Sequence, residues 1–191
     1  MEKQPILNNF GKPFKGPLII KPKVFEDERG FFLESWNQIT FNKLINLNVD
    51  FVQDNHSQSL KNVLRGMHYQ IYPFPQSKLI RCTRGRILDV IVDLRTTSDT
   101  FGTWGSVELS EYNFLQLWIP KGFAHGFLAL NNINNVIYKT DFFWNQKFER
   151  SLAWNDPLIG IKWGKEKKLN ISVKDKESPF FKEIDERELI F

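Results

Sequence analysis

Between Leu18 and Phe143 the chain falls into short runs rich in β-branched and aromatic residues, each closed by a turn signal. That punctuation narrows the fold to an all-β sandwich or barrel. The runs are Leu18–Lys21, Val63–Gln70, Lys78–Arg84, Arg86–Leu94, Gly105–Leu109, Phe114–Ile119, Ala124–Leu130 and Asn135–Phe143. Pro73-Phe74-Pro75, Arg84-Gly85, Ser98-Asp99, Pro120-Lys121-Gly122 and Asn131-Asn132 separate them. Helical spacing is confined to Gln38–Leu47, with Ile39, Leu44 and Ile45 near one face, and Pro179–Phe191 has room for a turn or two of helix. Arg86–Leu94 is the most informative run. Alternation sets Leu88, Val90, Val92 and Leu94 on one face and Ile87, Asp89, Ile91 and Asp93 on the other. Two carboxylates among isoleucines describe a face that is neither plain core nor plain solvent.

With 191 residues the chain reads as one domain, its core about residues 18–175 and a tail over 176–191. An aromatic share of 15%, with 18 Phe and 6 Trp, suits an interior of large rings and a pocket that stacks on a flat ligand. No apolar run approaches the roughly 20 residues of a membrane span, and Met1-Glu2-Lys3-Gln4-Pro5 lacks the pattern of a signal peptide. Cys82 is the single cysteine, which excludes an internal disulfide, so a cytoplasmic protein is expected. The net charge of +4 is mild, and its densest stretch, Lys162–Lys176, reads first as a solvated face and second as an attraction for small anions. No nucleic-acid-binding motif accompanies it.

Only three histidines are available for chemistry. His68 lies in Val63–Gln70, where alternation groups Leu64, His68 and Gln70 against Arg65, Met67 and Tyr69. His56 follows Gln53-Asp54-Asn55 in a polar, loop-like segment, and His125 closes Pro120-x-Gly122-x-x-His125. Taken singly, a strand histidine is most often a satisfied structural residue. The spacing around His125 matches the second motif of cupin barrels, in which that histidine often binds a metal. The His-x-His pair of a metal cupin is missing, and one imidazole falls short of a three-ligand open site. A cupin-type jelly roll without a metal is therefore expected.

Several ordered blocks carry a closer resemblance. They are Phe25–Glu34, Gln53–Ser57, Val63–Gln70, Gln76–Leu79, Asp89–Arg95, Ile119–Phe127 and Trp154–Asp156. In this order and at these spacings they resemble the dTDP-4-dehydrorhamnose 3,5-epimerase family, from about Lys23 to about Asp175. The resemblance implies proton transfer at carbons beside the C4 ketone of a nucleotide-linked 4-keto-6-deoxyhexose. A C–H bond there is a weak acid, so a base and a partner for the enolate are both required.

By that resemblance His68 is the base and Asp175, in Ser172-Val173-Lys174-Asp175, orients it. Lys78 stands near the enolate oxygen, and Tyr138 is the acid on the opposite face. Arg29 and Arg65 match pyrophosphate ligands, a task suited to the guanidinium fork. Glu34, Gln53 and Asn55 match polar contacts, His125 lines the sugar site, and Glu149 and Lys174 contact the nucleotide. Trp144 stands where the family places an aromatic against the base; an exposed interface aromatic is the competing reading. Residues 144–151 lack the proline and glycine expected there, which leaves the shape of that loop open. The resemblance further implies a homodimer in which Arg29 and Glu34 reach the neighbour's site, and no metal or organic cofactor. A C3-only epimerase, a non-catalytic sugar-nucleotide binding cupin and a metal-dependent cupin oxygenase are the alternatives.

Overall fold

The computed structural model describes residues 1–164 and 168–191. Part of the lysine-rich stretch, residues 165–167, lies outside the described residues. The described residues form fourteen strands, of which the first half holds β1 (Glu2–Leu7), β2 (Pro13–Lys21), β3 (Val24–Asp27), β4 (Gly30–Leu33), β5 (Gln53–Leu60), β6 (Val63–Gln70) and β7 (Lys78–Arg84). The second half adds β8 (Arg86–Asp93), β9 (Trp104–Ser110), β10 (Gln116–Ile119), β11 (Phe123–Ala129), β12 (Ile133–Thr140), β13 (Glu149–Ser151) and β14 (Asn170–Ile171). One sheet runs β1-β2-β10-β7-β12-β5, and the facing sheet runs β13-β6-β11-β8-β9 with β14 parallel beside β6. The hairpin β3–β4 belongs to neither. Two short helices, α1 (Gln38–Ile45) and α2 (Val173–Lys176), and two 3₁₀ turns at Phe181–Glu183 and Glu186–Glu188 complete the architecture. No helix among the described residues is long and apolar enough to cross a membrane.

Three apolar layers hold the sheets. Between them, Ile80 and Cys82 of β7, Leu117 of β10 and Val136 of β12 meet Ile87 and Ile91 of β8 and Phe127 of β11. The outer face of the β8 sheet, with Val90, Val92 and Leu64, is covered by the chain after β13 through Leu152, Ile159, Trp163 and Leu189. The outer face of the other sheet, with Ile20, Leu79 and Trp118, is covered by α1. Both faces of β8 are thus buried, and its aspartates each have partners: Asp89 meets His125, and Asp93 accepts from Arg95, Ser98 and Thr100. This is how an alternating strand can carry carboxylates on a buried face.

The structure corrects three local expectations. On α1 the buried residue is Phe41, while Ile39 is 82% exposed; Phe41, Leu44 and Ile45 form the inward stripe at the i, i+3, i+4 spacing. The helix is capped by the Asn37 side chain, which accepts from the Thr40 N–H at 3.1 Å. The polar segment around His56 is not a loop but strand β5, paired residue for residue with β12 from Leu60 to Gln53. Its side chains have little β preference; as an edge strand it is held by ladder hydrogen bonds and by the polar use of its inner face.

Strand β6 also breaks its alternation. The β11–β6 register pairs His125 with His68 but Phe127 with Arg65, so β6 accommodates one extra residue between them. The bulge sends Arg65 to the cavity side with His68, and Leu64 to the outer layer with Met67 and Tyr69. Gly66 makes this possible. Its φ is +128°, and a Cβ there would lie 2.5 Å from Gly126 Cα, so only glycine fits.

Candidate active site

The barrel interior opens as a cavity of about 550 Å³ between the sheets. His68 and His125, on adjacent strands β6 and β11, line the wall made by the β8 sheet. Tyr138 of β12 and Lys78 of β7 line the wall made by the other sheet. Arg65, Trp144, Glu149, Lys174 and Asp175 border the same space.

His68 Nε2 lies 2.7 Å from Asp175 Oδ1. Asp175 comes from α2, whose first turn is tied by Ser172 Oγ accepting from the Asp175 N–H at 3.1 Å. Its second oxygen accepts from the Gly66 N–H at 3.3 Å. The bulge that turns Arg65 inward therefore also anchors the carboxylate that holds His68. Burial works to raise the Asp175 carboxyl, but the hydrogen bond and charge of His68 and the Gly66 N–H outweigh it and hold it below the usual carboxylate range. Asp175 is thus an anion at neutral pH, able to fix one ring nitrogen of His68 and leave the other free.

Lys78 is almost fully buried and donates to the His68 carbonyl at 3.3 Å. Burial pushes its ammonium down to about 8, against the opposing pull of Asp89 and Glu149. The cation still predominates at neutral pH. The Tyr138 phenol is pushed up by burial, aided by Glu149 and opposed by Arg65, so it stays protonated and can donate. His125 forms a second imidazole–carboxylate pair, its Nε2 2.9 and 3.0 Å from the two oxygens of Asp89. Burial pulls His125 below the ordinary histidine range despite Asp89, with Lys78 and His68 adding to the effect. Sequence reasoning does not single out Asp89 as a site residue. Its signal was the carboxylate placed among isoleucines on β8.

Around the rim, Arg65 donates from Nε to Ser59 Oγ at 2.9 Å and from Nη2 to the Gln58 carbonyl at 3.2 Å. Lys174 Nζ bonds Glu149 Oε2 at 2.5 Å. Trp144 is 52% exposed, and its N–H donates to Gln53 Oε1 at 2.9 Å. Gln53 and Asn55 lie on the inward side of β5, joined to each other at 2.8 Å, beside the cavity rather than lining it. Asn55 Nδ2 has no hydrogen-bond partner among the described residues. Arg29 and Glu34 are not brought to this cavity. Arg29, at the β3–β4 hairpin, is paired with Asp27, and Glu34 accepts from Asn37 at 3.3 Å. Among the described residues, no three His, Cys, Asp or Glu side chains gather as a metal site.

Two facing sheets around a cavity lined by imidazole, phenol and ammonium groups define a cupin-type barrel whose lining includes groups able to accept and to donate protons. A sequence model described as dTDP-4-dehydrorhamnose 3,5-epimerase matches residues 12–183. The dTDP-4-dehydrorhamnose 3,5-epimerases of Shigella flexneri and Salmonella typhimurium are 53% and 52% identical to this chain. The first match covers 76% of this chain and 81% of the relative, and the second 85% and 88%. The crystal structure of dTDP-6-deoxy-D-glucose-3,5-epimerase RmlC from Legionella pneumophila, in complex with dTDP-4-keto-L-rhamnose, superposes with a TM-score of 0.91 at 39% identity. That superposition covers 99% of this chain and 97% of the other. The chain belongs to the dTDP-4-dehydrorhamnose 3,5-epimerase family.

Proposed function

We propose that this chain inverts C3 and C5 of dTDP-4-dehydro-6-deoxy-D-glucose, giving dTDP-4-dehydro-L-rhamnose in dTDP-L-rhamnose biosynthesis. The observation that carries the reading is the placement of His68 and Tyr138 on opposite walls of one cavity. Inversion needs a base on one side of the sugar and an acid on the other. His68, oriented by Asp175, takes the proton from the carbon beside the C4 ketone. The electron pair moves onto the ketone oxygen, and the Lys78 ammonium stabilises that enolate in a dry pocket. Tyr138 then delivers a proton to the carbon from the opposite face as the enolate collapses to the ketone; solvent takes the proton from His68 and reprotonates the Tyr138 phenolate, and the sequence repeats at the second carbon.

The rim serves the nucleotide. Arg65 binds the pyrophosphate, Trp144 stacks on thymine, Glu149 and Lys174 contact the nucleotide, and Gln53 and Asn55 supply polar contacts. His125 contacts the sugar. Arg29 and Glu34 act across a homodimer, in the neighbouring copy's site. In support, the hairpin that carries Arg29 exposes Phe25, Phe31 and Phe32, large apolar groups that a second copy would cover.

The test is turnover of dTDP-4-dehydro-6-deoxy-D-glucose coupled to a 4-reductase in deuterated water. Deuterium is expected at both C3 and C5. Label at one carbon alone reduces the activity to a single-centre epimerase, and no label at either overturns the reading.

A further inference from the structure

Two residues beyond His68, β6 carries a buried amide that no step above uses. Gln70 is 4% exposed, and each of its side-chain hydrogen bonds goes to the backbone of a loop. Its Oε1 accepts from the Asn145 N–H at 2.6 Å. Its Nε2 donates to the Phe74 carbonyl at 2.6 Å and to the Phe143 carbonyl at 3.3 Å. Its main chain pairs with Glu149 in the β13–β6 ladder. One residue therefore grips the segment 143–149 at 143, 145 and 149.

That segment presents Trp144 near one end and Glu149 at the other, both to the cavity. It contains neither proline nor glycine, so its covalent structure does not preset its shape. Its internal ties are few. Asn145 Oδ1 accepts from the Lys147 N–H, and the Asn145 carbonyl accepts from the N–H groups of Phe148 and Glu149, each at 3.1 Å. The neighbouring N–H, that of Trp144, is held by Gln53 from β5. Consecutive N–H groups are thus held by amides from the two facing sheets. The second contact, to Phe74, brings in the turn whose ring packs against Phe142 and Phe148. A buried amide with both ends satisfied fixes geometry, because leaving either end unpaired is costly.

We propose that Gln70 is a positioning residue that preorganises Trp144 and Glu149 at the rim of the cavity for the nucleotide. It acts through those residues, since its own polar atoms are committed to the loop backbone. The identity of the ligand rests on the function proposed above; the clamp itself does not.

Gln70→Met keeps the volume and removes both polar ends. Two readouts are decisive. In the free protein, amide hydrogen exchange at Asn145 is expected to quicken at least tenfold. With dTDP as the probe, the dissociation constant is expected to rise about tenfold, equivalent to about 1.4 kcal/mol. Over the same change, kcat at saturating substrate stays within about threefold. Unchanged exchange at Asn145 overturns the clamp. Unchanged dTDP affinity with faster exchange overturns the positioning role. Affinity and kcat falling together with the folded fraction also overturn it, since that is the behaviour of a merely structural residue. If Gln70→Met does not fold, Gln70→Glu, which keeps the oxygen facing Asn145 and loses the donation to Phe74 and Phe143, carries the test. A rise of about threefold in the dTDP dissociation constant supports the proposal, and wild-type affinity overturns it. Wild-type protein that fails to bind dTDP overturns the proposed function and leaves the exchange result standing.

Discussion

Asp175→Asn isolates the charge that the site places behind its proposed base. The substitution keeps size and hydrogen-bonding capacity, so the Gly66 N–H still finds an oxygen, and Ser172 still caps the Asp175 N–H. What disappears is an anion 2.7 Å from His68 Nε2. As His68 takes the sugar's proton it becomes an imidazolium. With an effective dielectric of about 20, attraction to a carboxylate at that separation is worth about 6 kcal/mol. This is a ceiling, because hydrogen bonding to a neutral amide recovers part of it. An asparagine can also present its NH₂ to the ring and move the imidazole proton to the nitrogen that should act as base. A loss of about 10³-fold in kcat is expected, inside the roughly 10²–10⁴-fold range of general acid–base catalysis. The assay is deuterium wash-in at C3 and C5 followed by NMR, with dTDP affinity measured in parallel. Affinity should stay within about threefold. Exchange within tenfold of the wild-type rate in a folded variant would falsify the pairing of Asp175 with His68 as base and orienter.

Lys78 gives a pH test: because its ammonium titrates near 8, the rate should fall as pH rises through 8, and the residual activity of Lys78→Met should lack that limb. The folded value lies below the ordinary 10.5, so charging Lys78 costs stability below pH 8, and the cost fades as pH rises toward 10.5. At pH 7, Lys78→Met should therefore keep only residual activity yet be more stable, by about 1–3 kcal/mol in denaturant melts, and a destabilised variant refutes the burial argument. In Tyr138→Phe, wash-in of deuterium should persist while inversion slows; exchange and epimerisation falling in parallel assign the phenol another role. Gly66→Ala should destabilise by about 3 kcal/mol or more, since its Cβ meets Gly126 at a left-handed φ; a melt within 1 kcal/mol of wild type contradicts the bulge geometry.

What the sequence made legible divides along physical lines. Strands β7 and β8 could be read closely because β-branched residues there are needed on buried faces, and burial enforces pattern. Strand β5 could not, because Gln53 to Leu60 contains almost no apolar residue and is held by main-chain pairing, which leaves no trace in side-chain type. Alternation failed in β6 at Gly66 for a related reason. A bulge shifts the face of every later residue, and its only mark was a glycine in a strand. The His68, Asp175, Lys78 and Tyr138 set came from ordered resemblance, since Asp175 is 107 residues from His68 and no local period connects them. Arg29 and Glu34 lie outside the cavity of one chain, Arg29 paired with Asp27 and Glu34 with Asn37.

The two imidazole–carboxylate pairs show why residue type alone cannot assign a base. His68 and His125 face each other across one ladder, and each meets an aspartate through Nε2. Their surroundings differ. The His68 side chain is 30% exposed to the cavity, and its partner arrives on a separate helix. The His125 side chain is 10% exposed, and burial, Lys78 and His68 all oppose its protonation. A base must accept a proton in every turnover, and that disfavours the ring whose charged form is already penalised from three directions. Under the proposed mechanism His125 is therefore a fixed neutral group that orients the sugar, held by Asp89, while His68 carries the proton. The largest part of that penalty is burial, so the depth of His125 in the cavity wall, more than the neighbouring Lys78, is what separates the two histidines under the proposed mechanism.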